Sequence, residues 1–405
     1  MRKSSLSILF IIVFIDLLGF SLILPLLPFY AETFGASPTI VGLLVASYAA
    51  AQLIGAPLLG RLSDRFGRRP VLLISICGTF VGFLILGFAQ SLWMLFASRL
   101  LDGFTGGNIS VAQAYITDIT DEKNRARGLG LLGAAFGLGF IIGPVIGGTL
   151  SVYGFAIPAF VAAGFSLLAI LGVIFFLPES LSSETRAALA NKKKEEFSLG
   201  NFWKAINRTR VGPLLNIRFF YGLAFATFQT IFPLYALYRL ELNAQSTGYV
   251  LAYVGVLVVF VQGFLVGRLA NRYQDHYLIF VSLLIMMFSL LAWAVTPNLV
   301  ILLLILIPLA FSAGTLNTIL NSSLSKSVYP EEVGGTLGLS ASLESLTRVI
   351  SPSAGGYLLG SLGAWAPGIF SGLIMAWTVS YTWRRLIVNP DPPLPPREEF
   401  SINSN

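Results

Sequence analysis

The sequence predicts an all-α membrane protein with twelve transmembrane helices in two pseudo-symmetric six-helix bundles. Three observations predict it. Of the 405 residues, 55% are hydrophobic and 11% charged, with a mean hydropathy of +0.79, a balance that belongs to chains dissolved in lipid. Apolar runs recur that are long enough to cross a bilayer, which takes ~20 residues. The chain also repeats itself. Gly60-Arg61-Leu62-Ser63-Asp64-Arg65-Phe66 returns 207 positions on as Gly267-Arg268-Leu269-Ala270-Asn271-Arg272-Tyr273. Pro25, Gly106 and Pro144 with Gly147-Gly148 return 208 positions on, as Pro233, Gly314 and Pro352 with Gly355-Gly356. An offset of 207 or 208 at four anchors marks a tandem duplication with parallel halves.

In chain order, the runs predict spans near 6–30, 38–59, 71–90, 92–117, 126–150 and 156–177. The second set falls near 213–237, 246–268, 277–296, 298–325, 333–358 and 364–387. Arg2-Lys3 ahead of an apolar run imitates a signal peptide, but the run is too long and carries Asp16, so a retained helix is expected. Between the second and third spans, Gly60 to Pro70 reads as a tight polar turn, with Gly60 and Gly67 allowing close packing and φ > 0 and Pro70 starting the next helix. The organisation expected is a bundle over 1–180, a cytoplasmic linker over 181–212, a second bundle over 213–388 and a disordered tail over 389–405. Within the linker, Phe197, Leu199, Phe202, Trp203 and Ile206 beside Lys204, Arg208 and Arg210 suggest a helix lying along the membrane surface.

The net charge of +7 has a topological cause. Placing both termini in the cytoplasm puts 22 of the 26 Lys and Arg on that side and only Arg239 opposite, with Arg99, Arg218 and Arg348 inside spans. That bias sets the orientation and removes a nucleic-acid footprint as its explanation. A multi-pass protein of the cell membrane follows, working as a monomer. The lone Cys77 excludes an internal disulfide. No Walker motif or metal-ligand cluster occurs, so no enzyme, cofactor or metal site is expected.

Ionisable residues inside spans are costly and therefore informative. Asp16 lies roughly 15 Å into the first span at 1.5 Å per residue, near the midplane, where desolvation disfavours its charge. It suits a proton-loading carboxylate, or a polar residue bonded between helices. Arg99 and Asp102 sit one turn apart and can pair. Glu344 and Arg348 are spaced i, i+4 in the eleventh span, where the first half has Phe136 and Phe140; binding substrate, carrying a proton and locking helices are all open to them. Gly139, Gly143 and Gly147 form a side-chain-free stripe for close helix contact, with Pro144 permitting a kink. Tyr48, Gln52, Asn108, Gln113, Asn317 and Asn321, with the stripe Tyr221, Phe225, Phe228 and Phe232 beside Gln229, suit a cavity for a mostly apolar planar substrate. The stripe equally suits a lipid-facing surface.

Gly60 to Pro70 fits the loop signature Gly-x-Leu-(Ala/Ser)-Asp-Arg-x-Gly-Arg-(Arg/Lys), and the chain resembles the major facilitator superfamily over residues 1–388. Arg99 to Gly148 resembles the bacterial tetracycline/proton antiporters and their drug-efflux relatives, through Ala114-Tyr115-Ile116-Thr117-Asp118-Ile119-Thr120, Arg125-Ala126-Arg127 and the glycines from Gly137 to Gly148. The resemblance implies an essential carboxylate at Asp16, tuned by Arg99. It implies that Asp64, Arg68 and Asp118, with Gly60, Arg65 and Gly67, form a cytoplasmic latch between the halves. It also implies that Gly139, Gly143, Pro144, Gly147 and Gly148 seal the interface between halves. Asn271 and Lys326, at the duplicated positions, leave the second half without the same acidic cluster. The antiporters' second carboxylate, in span three, is Gly82 here, and the sole histidine, His276, lies in a loop, which sets metal-chelated tetracycline aside as substrate. The expected function is proton-coupled antiport exporting small amphipathic or drug-like compounds by alternating access. A proton symporter for a metabolite and a non-transporting receptor or scaffold are the alternatives.

Overall fold

The computed structural model describes residues 3–182, 184, 186 and 208–392, and among them every regular element is helical. The first half comprises α1 (Lys3–Ile23), α2 (Leu27–Glu32), α3 (Pro38–Phe66), α4 (Arg68–Gly87), α5 (Leu92–Thr105), α6 (Asn108–Ile119), α7 (Glu122–Ser151) and α8 (Ala156–Phe176). The second comprises α9 (Val211–Leu240), α10 (Ala244–Phe260), a π-turn, α11 (Val266–Arg272), α12 (Asp275–Ala294), α13 (Leu299–Lys326), α14 (Val333–Leu362) and α15 (Ala366–Thr382). Nine of these segments are long and apolar enough to cross a membrane. The chain is thus an all-α, multi-span membrane protein, as its composition requires.

Local chemistry sets the helix ends. The Ser37 hydroxyl caps α3 ahead of Pro38, and Asp121, Asn243 and Asn298 accept from backbone N–H groups in the first turns of α7, α10 and α13; each such cap replaces a bond the helix cannot supply itself. Three sequence expectations are corrected. The first span stops at Ile23, because Pro25 turns the chain before α2. The fourth span is two helices broken at Gly106-Gly107. The polar turn is narrower than expected, since α3 runs on to Phe66 and the chain bends only at Gly67, whose φ of +107° disfavours any side chain. Gly60 lies within α3 with open space where a Cβ would stand.

Most helix pairs that pack together lie within one half. Helices α1, α7 and α8 pack together, α4 lies on α5 and α8, and α3 lies on α5. In the second half α9 packs on α14 and α15, and α12 on α13 and α15. The halves meet chiefly where α3 packs on α14 and α7 on α10, with smaller contacts of α9 on α2 and α3. The surface helix expected over 197–206 and most of the tail lie outside the described residues. The start of the tail is held, since Arg210 donates its backbone N–H to Asp391 at 2.7 Å and its Nε to the Pro392 carbonyl at 2.6 Å.

Candidate functional site

The halves touch at one end and part at the other. A Cβ on Gly42 would stand 3.2 Å from the Gly356 Cα, and one on Gly148 would stand 3.1 Å from the Gln245 Cα. Tyr238 donates to Glu32 at 2.5 Å, and the Thr149 and Tyr249 hydroxyls lie 3.2 Å apart. All these contacts lie at the end opposite the Gly60–Pro70 turn. Towards that turn, side chains added at Gly130, Gly133, Gly263, Gly267, Gly334 or Gly338 would meet open space.

The glycine motif divides between two tasks, which corrects the expectation that all of it faces the other half. Gly139, Gly143 and Gly147 pack on α1, against Leu17, Ser21 and Leu22, and Ser21 donates to the Gly139 carbonyl at 2.8 Å. Only Pro144 and Gly148 reach the second half, at Gly248 and at Ala244-Gln245.

Asp16 is 4% exposed. Asn108, the first residue of α6, donates to its Oδ2, while its Oδ1 has no hydrogen-bond partner. The break at Gly106-Gly107 is what starts a new helix at Asn108. Nearby, Arg99 and Asp102 pair at 3.2 Å, 3% and 2% exposed, with Arg99 over the Phe83 ring. A Cβ at Gly82 would lie 3.1 Å from the Asp102 Cβ. Asp102 of α5 therefore occupies the space where a span-three side chain would stand. Gln52 donates to the Tyr48 hydroxyl at 3.1 Å and to the Gly106 carbonyl at 3.0 Å.

In the second half, Glu344 accepts from Arg348 at 2.7 Å on Oε1 and from Arg218 at 2.5 Å on Oε2, and Arg218 also donates to Asn317 at 3.0 Å. Arg218 was legible only as a charge inside a span; its partner lies 126 positions away. Phe225 is half-buried between Tyr221 and Phe228. Phe228 and Phe232 turn into the core instead, 2% and 0% exposed, with Phe228 edge-on to Trp293. They line neither a cavity nor the lipid. Gln113 and Gln229 are exposed, and Asn321 is half-buried. A separate cleft of about 560 Å³, lined by residues such as Ser5, Arg69 and Phe175, contains none of the residues predicted for the site.

At the Gly60–Pro70 end, Arg68 is 6% exposed and bonds Asp64 at 2.6 Å and Asp118 at 3.0 Å. Arg65 lies over the neighbouring Phe66 ring. Sequence reasoning missed the segment after α8. Glu179 accepts the backbone N–H groups of Arg68 and Arg69 at 2.9 and 3.1 Å, capping α4, and Ser180 donates to Asp118 at 2.8 Å. Glu179 fills the space a Gly67 side chain would need. In the second half, Lys326 pairs with Asp275 at 2.8 Å.

Comparison with known proteins agrees with this architecture. Residues 9–352 match the Major Facilitator Superfamily. The chain is 36% identical over 356 residues to the class H tetracycline resistance protein of Pasteurella multocida, covering 87% of this chain and 88% of that one. It is 29% identical to multidrug resistance protein 2 of Bacillus subtilis, covering 92% and 93%. A bacterial homologue of the human lysosomal transporter Spinster, solved in an inward-facing, occupied conformation, superposes with a TM-score of 0.77 over 95% of this chain and 96% of that one, at 15% identity. With a helical multi-span body parted at one end and buried charges between its helices, the chain belongs to the Major Facilitator Superfamily, as a secondary-active transporter of small solutes and not an enzyme.

Proposed function

We propose that the protein is a proton-coupled antiporter that exports small amphipathic, drug-like compounds by alternating access. Its body is read as twelve spans in two six-helix bundles, over 1–180 and 213–388, joined by the 181–212 linker and followed by the 389–405 tail. The observation that carries the reading is Asp16. One of its oxygens meets Asn108 and the other has no hydrogen-bond partner, in a span where an uncompensated charge is costly. A proton neutralises such a group in one stage of a cycle and leaves it in another. Arg99 and Asp102, paired one helix away, tune it.

The bias of Lys and Arg assigns the Gly60–Pro70 end to the cytoplasm, so the parted end opens inward. Asp64, Arg68 and Asp118, braced by Glu179 and Ser180, form the latch that engages the second half when the cavity opens outward. Pro144 and Gly148 belong to the outer seal. Tyr48, Gln52, Asn108, Tyr221, Phe225 and Asn317 line the substrate path, with Gln113, Gln229 and Asn321 at its margins. The working unit is a monomer in the cell membrane with both termini cytoplasmic. The resistance to tetracycline and to multiple drugs for which the relatives are named supports export.

Reconstitution in vesicles with an imposed pH gradient tests this, using a panel of amphipathic dyes and an internal pH reporter. Dye and proton should move in opposite directions. Movement together would make the protein a symporter, and silence across the panel would favour a receptor or scaffold.

A further inference from the structure

The two halves face the space between them with different chemistry at equivalent positions. In the duplicated frame Glu344 and Arg348 of α14 correspond to Phe136 and Phe140 of α7. On the first half the rings form a wall. Phe136 stacks on Phe140 at 6.4 Å, Phe140 meets Phe20 at 6.5 Å, and Phe20 meets Tyr48 at 5.2 Å. On the second half stands a charge cluster that does not cancel. Arg218 and Arg348 share the single carboxylate of Glu344, both of whose oxygens are occupied, leaving one positive charge in excess.

That excess sits on Arg348. The Arg218 side chain is 7% exposed and spent on Glu344 and Asn317, whereas the Arg348 side chain is 57% exposed, bonds Glu344 through Nη2 alone and stands on α14, the helix that packs against Tyr48's α3. A guanidinium is a rigid planar fork that binds carboxylate, sulfonate or phosphate through two parallel N–H groups. An excess cation midway through a bilayer is costly until an anion meets it. A cation would be repelled here, and a neutral molecule would leave the fork unfilled.

We propose that the substrate is an amphipathic organic acid whose anionic group docks on Arg348 while its aromatic body lies against Phe20, Tyr48 and Phe140. Glu344 acts as a positioning residue that holds both guanidinium groups, rather than as a proton carrier. This rests on the transporter reading, but not on the direction in which protons move.

The test is binding to the purified full chain, by calorimetry, of three compounds that share one ring system: 2-naphthylacetate, its methyl ester and 2-naphthylethylamine. The acid should bind at least tenfold more tightly than the ester or the amine. Arg348→Gln should remove that preference while leaving the ester's affinity within about twofold, and Arg348→Lys should restore it only in part, since the charge returns without the fork. Equal binding of the three, a preference for the amine, no measurable binding of the acid, or an undiminished preference in Arg348→Gln would each overturn the proposal. Displacement of the acid by equimolar phosphatidylglycerol would assign the site to a lipid headgroup instead and overturn it as a substrate site. The comparison on the parent protein needs no variant, so a misfolded mutant does not shelter the idea. Acid binding without vesicle transport would refute the antiporter and leave this site standing.

Discussion

The closed end of the molecule depends on backbone meeting backbone, and adding a single methyl group there should shift the whole conformational balance. A Cβ on Gly42 of α3 would lie 3.0 Å from the Pro352 carbonyl carbon and 3.2 Å from the Gly356 Cα of α14, and closer still to the Pro352 oxygen. A Cβ on Gly248 of α10 would lie 3.3 Å from the Gly148 Cα of α7 and would also press on the Pro144 oxygen. Backbone atoms cannot rotate away as a side chain can, so the helices must separate. Overpacking of this kind costs ~1–3 kcal/mol, which is ~5- to 150-fold in the ratio of two states. The penalty exists only while this end is closed. Gly42→Ala and Gly248→Ala should therefore each favour the state open at that end without unfolding either half. The assay replaces Cys77 with Ser, places a cysteine at position 48, and follows its labelling by an impermeant maleimide supplied from the closed side. Labelling should quicken at least fivefold in both variants. Gly164→Ala should change nothing, because nothing lies within 4 Å of that Cβ position. Unchanged labelling in Gly42→Ala and Gly248→Ala, in protein of parental thermal stability, would refute the assignment of this end as the closing seal.

Three further substitutions separate proton coupling, latching and bracing. Asp16→Asn should abolish uphill export in a pH gradient while substrate binding and downhill exchange persist; uphill transport near the parent's rate would move the coupling role to Asp102. Asp64→Asn should leave folding intact yet slow transport strongly, by removing the charge that Arg68 holds at 2.6 Å, and identical cysteine accessibility on both faces would sink that reading. Glu179→Ala should lower stability by about 1–2 kcal/mol, the worth of a helix cap together with a charge at a helix N-terminus, while Glu179→Gln recovers part of it. A denaturation midpoint unmoved by Glu179→Ala would show that α4 does not depend on this cap.

Much of the fold was legible because lipid leaves few options: with no water for backbone groups, an apolar run of spanning length becomes a helix. The charges inside spans stood out for the same reason, since each is rare and costly there. What escaped was pairing across the chain. Arg218 and Glu344, or Glu179 and the N-terminus of α4, meet only after several helices have packed, and no local pattern announces such contacts. The glycine stripe shows the limit of periodicity. Its four-residue spacing predicts close packing, which occurs, but not whether the partner is α1 or the opposite half. The break in the fourth span was not announced either: Gly106 has its counterpart Gly314 inside α13, and paired glycines as at Gly106-Gly107 also stand inside unbroken α7, at Gly147-Gly148, and α14, at Gly355-Gly356.

The duplicated frame carries one more consequence. Arg68 corresponds to Asp275 and Asp118 to Lys326. The first half closes this position with Arg68 donating to Asp118 at 3.0 Å, the second with Lys326 donating to Asp275 at 2.8 Å. The bridge is retained and its polarity reversed. Its setting differs too: the Arg68 side chain is 7% exposed and held by two carboxylates, while the Lys326 side chain is 66% exposed and holds one. A pair that open to water contributes little, ~1 kcal/mol or less, so the second bridge is a weak tie at the end of α13. The same divergence separates Phe136 and Phe140 from Glu344 and Arg348. Duplication kept the packing positions, which both halves need in order to fold, and freed the polar ones to diverge. That is why the chemistry of this chain is asymmetric on a nearly symmetric frame.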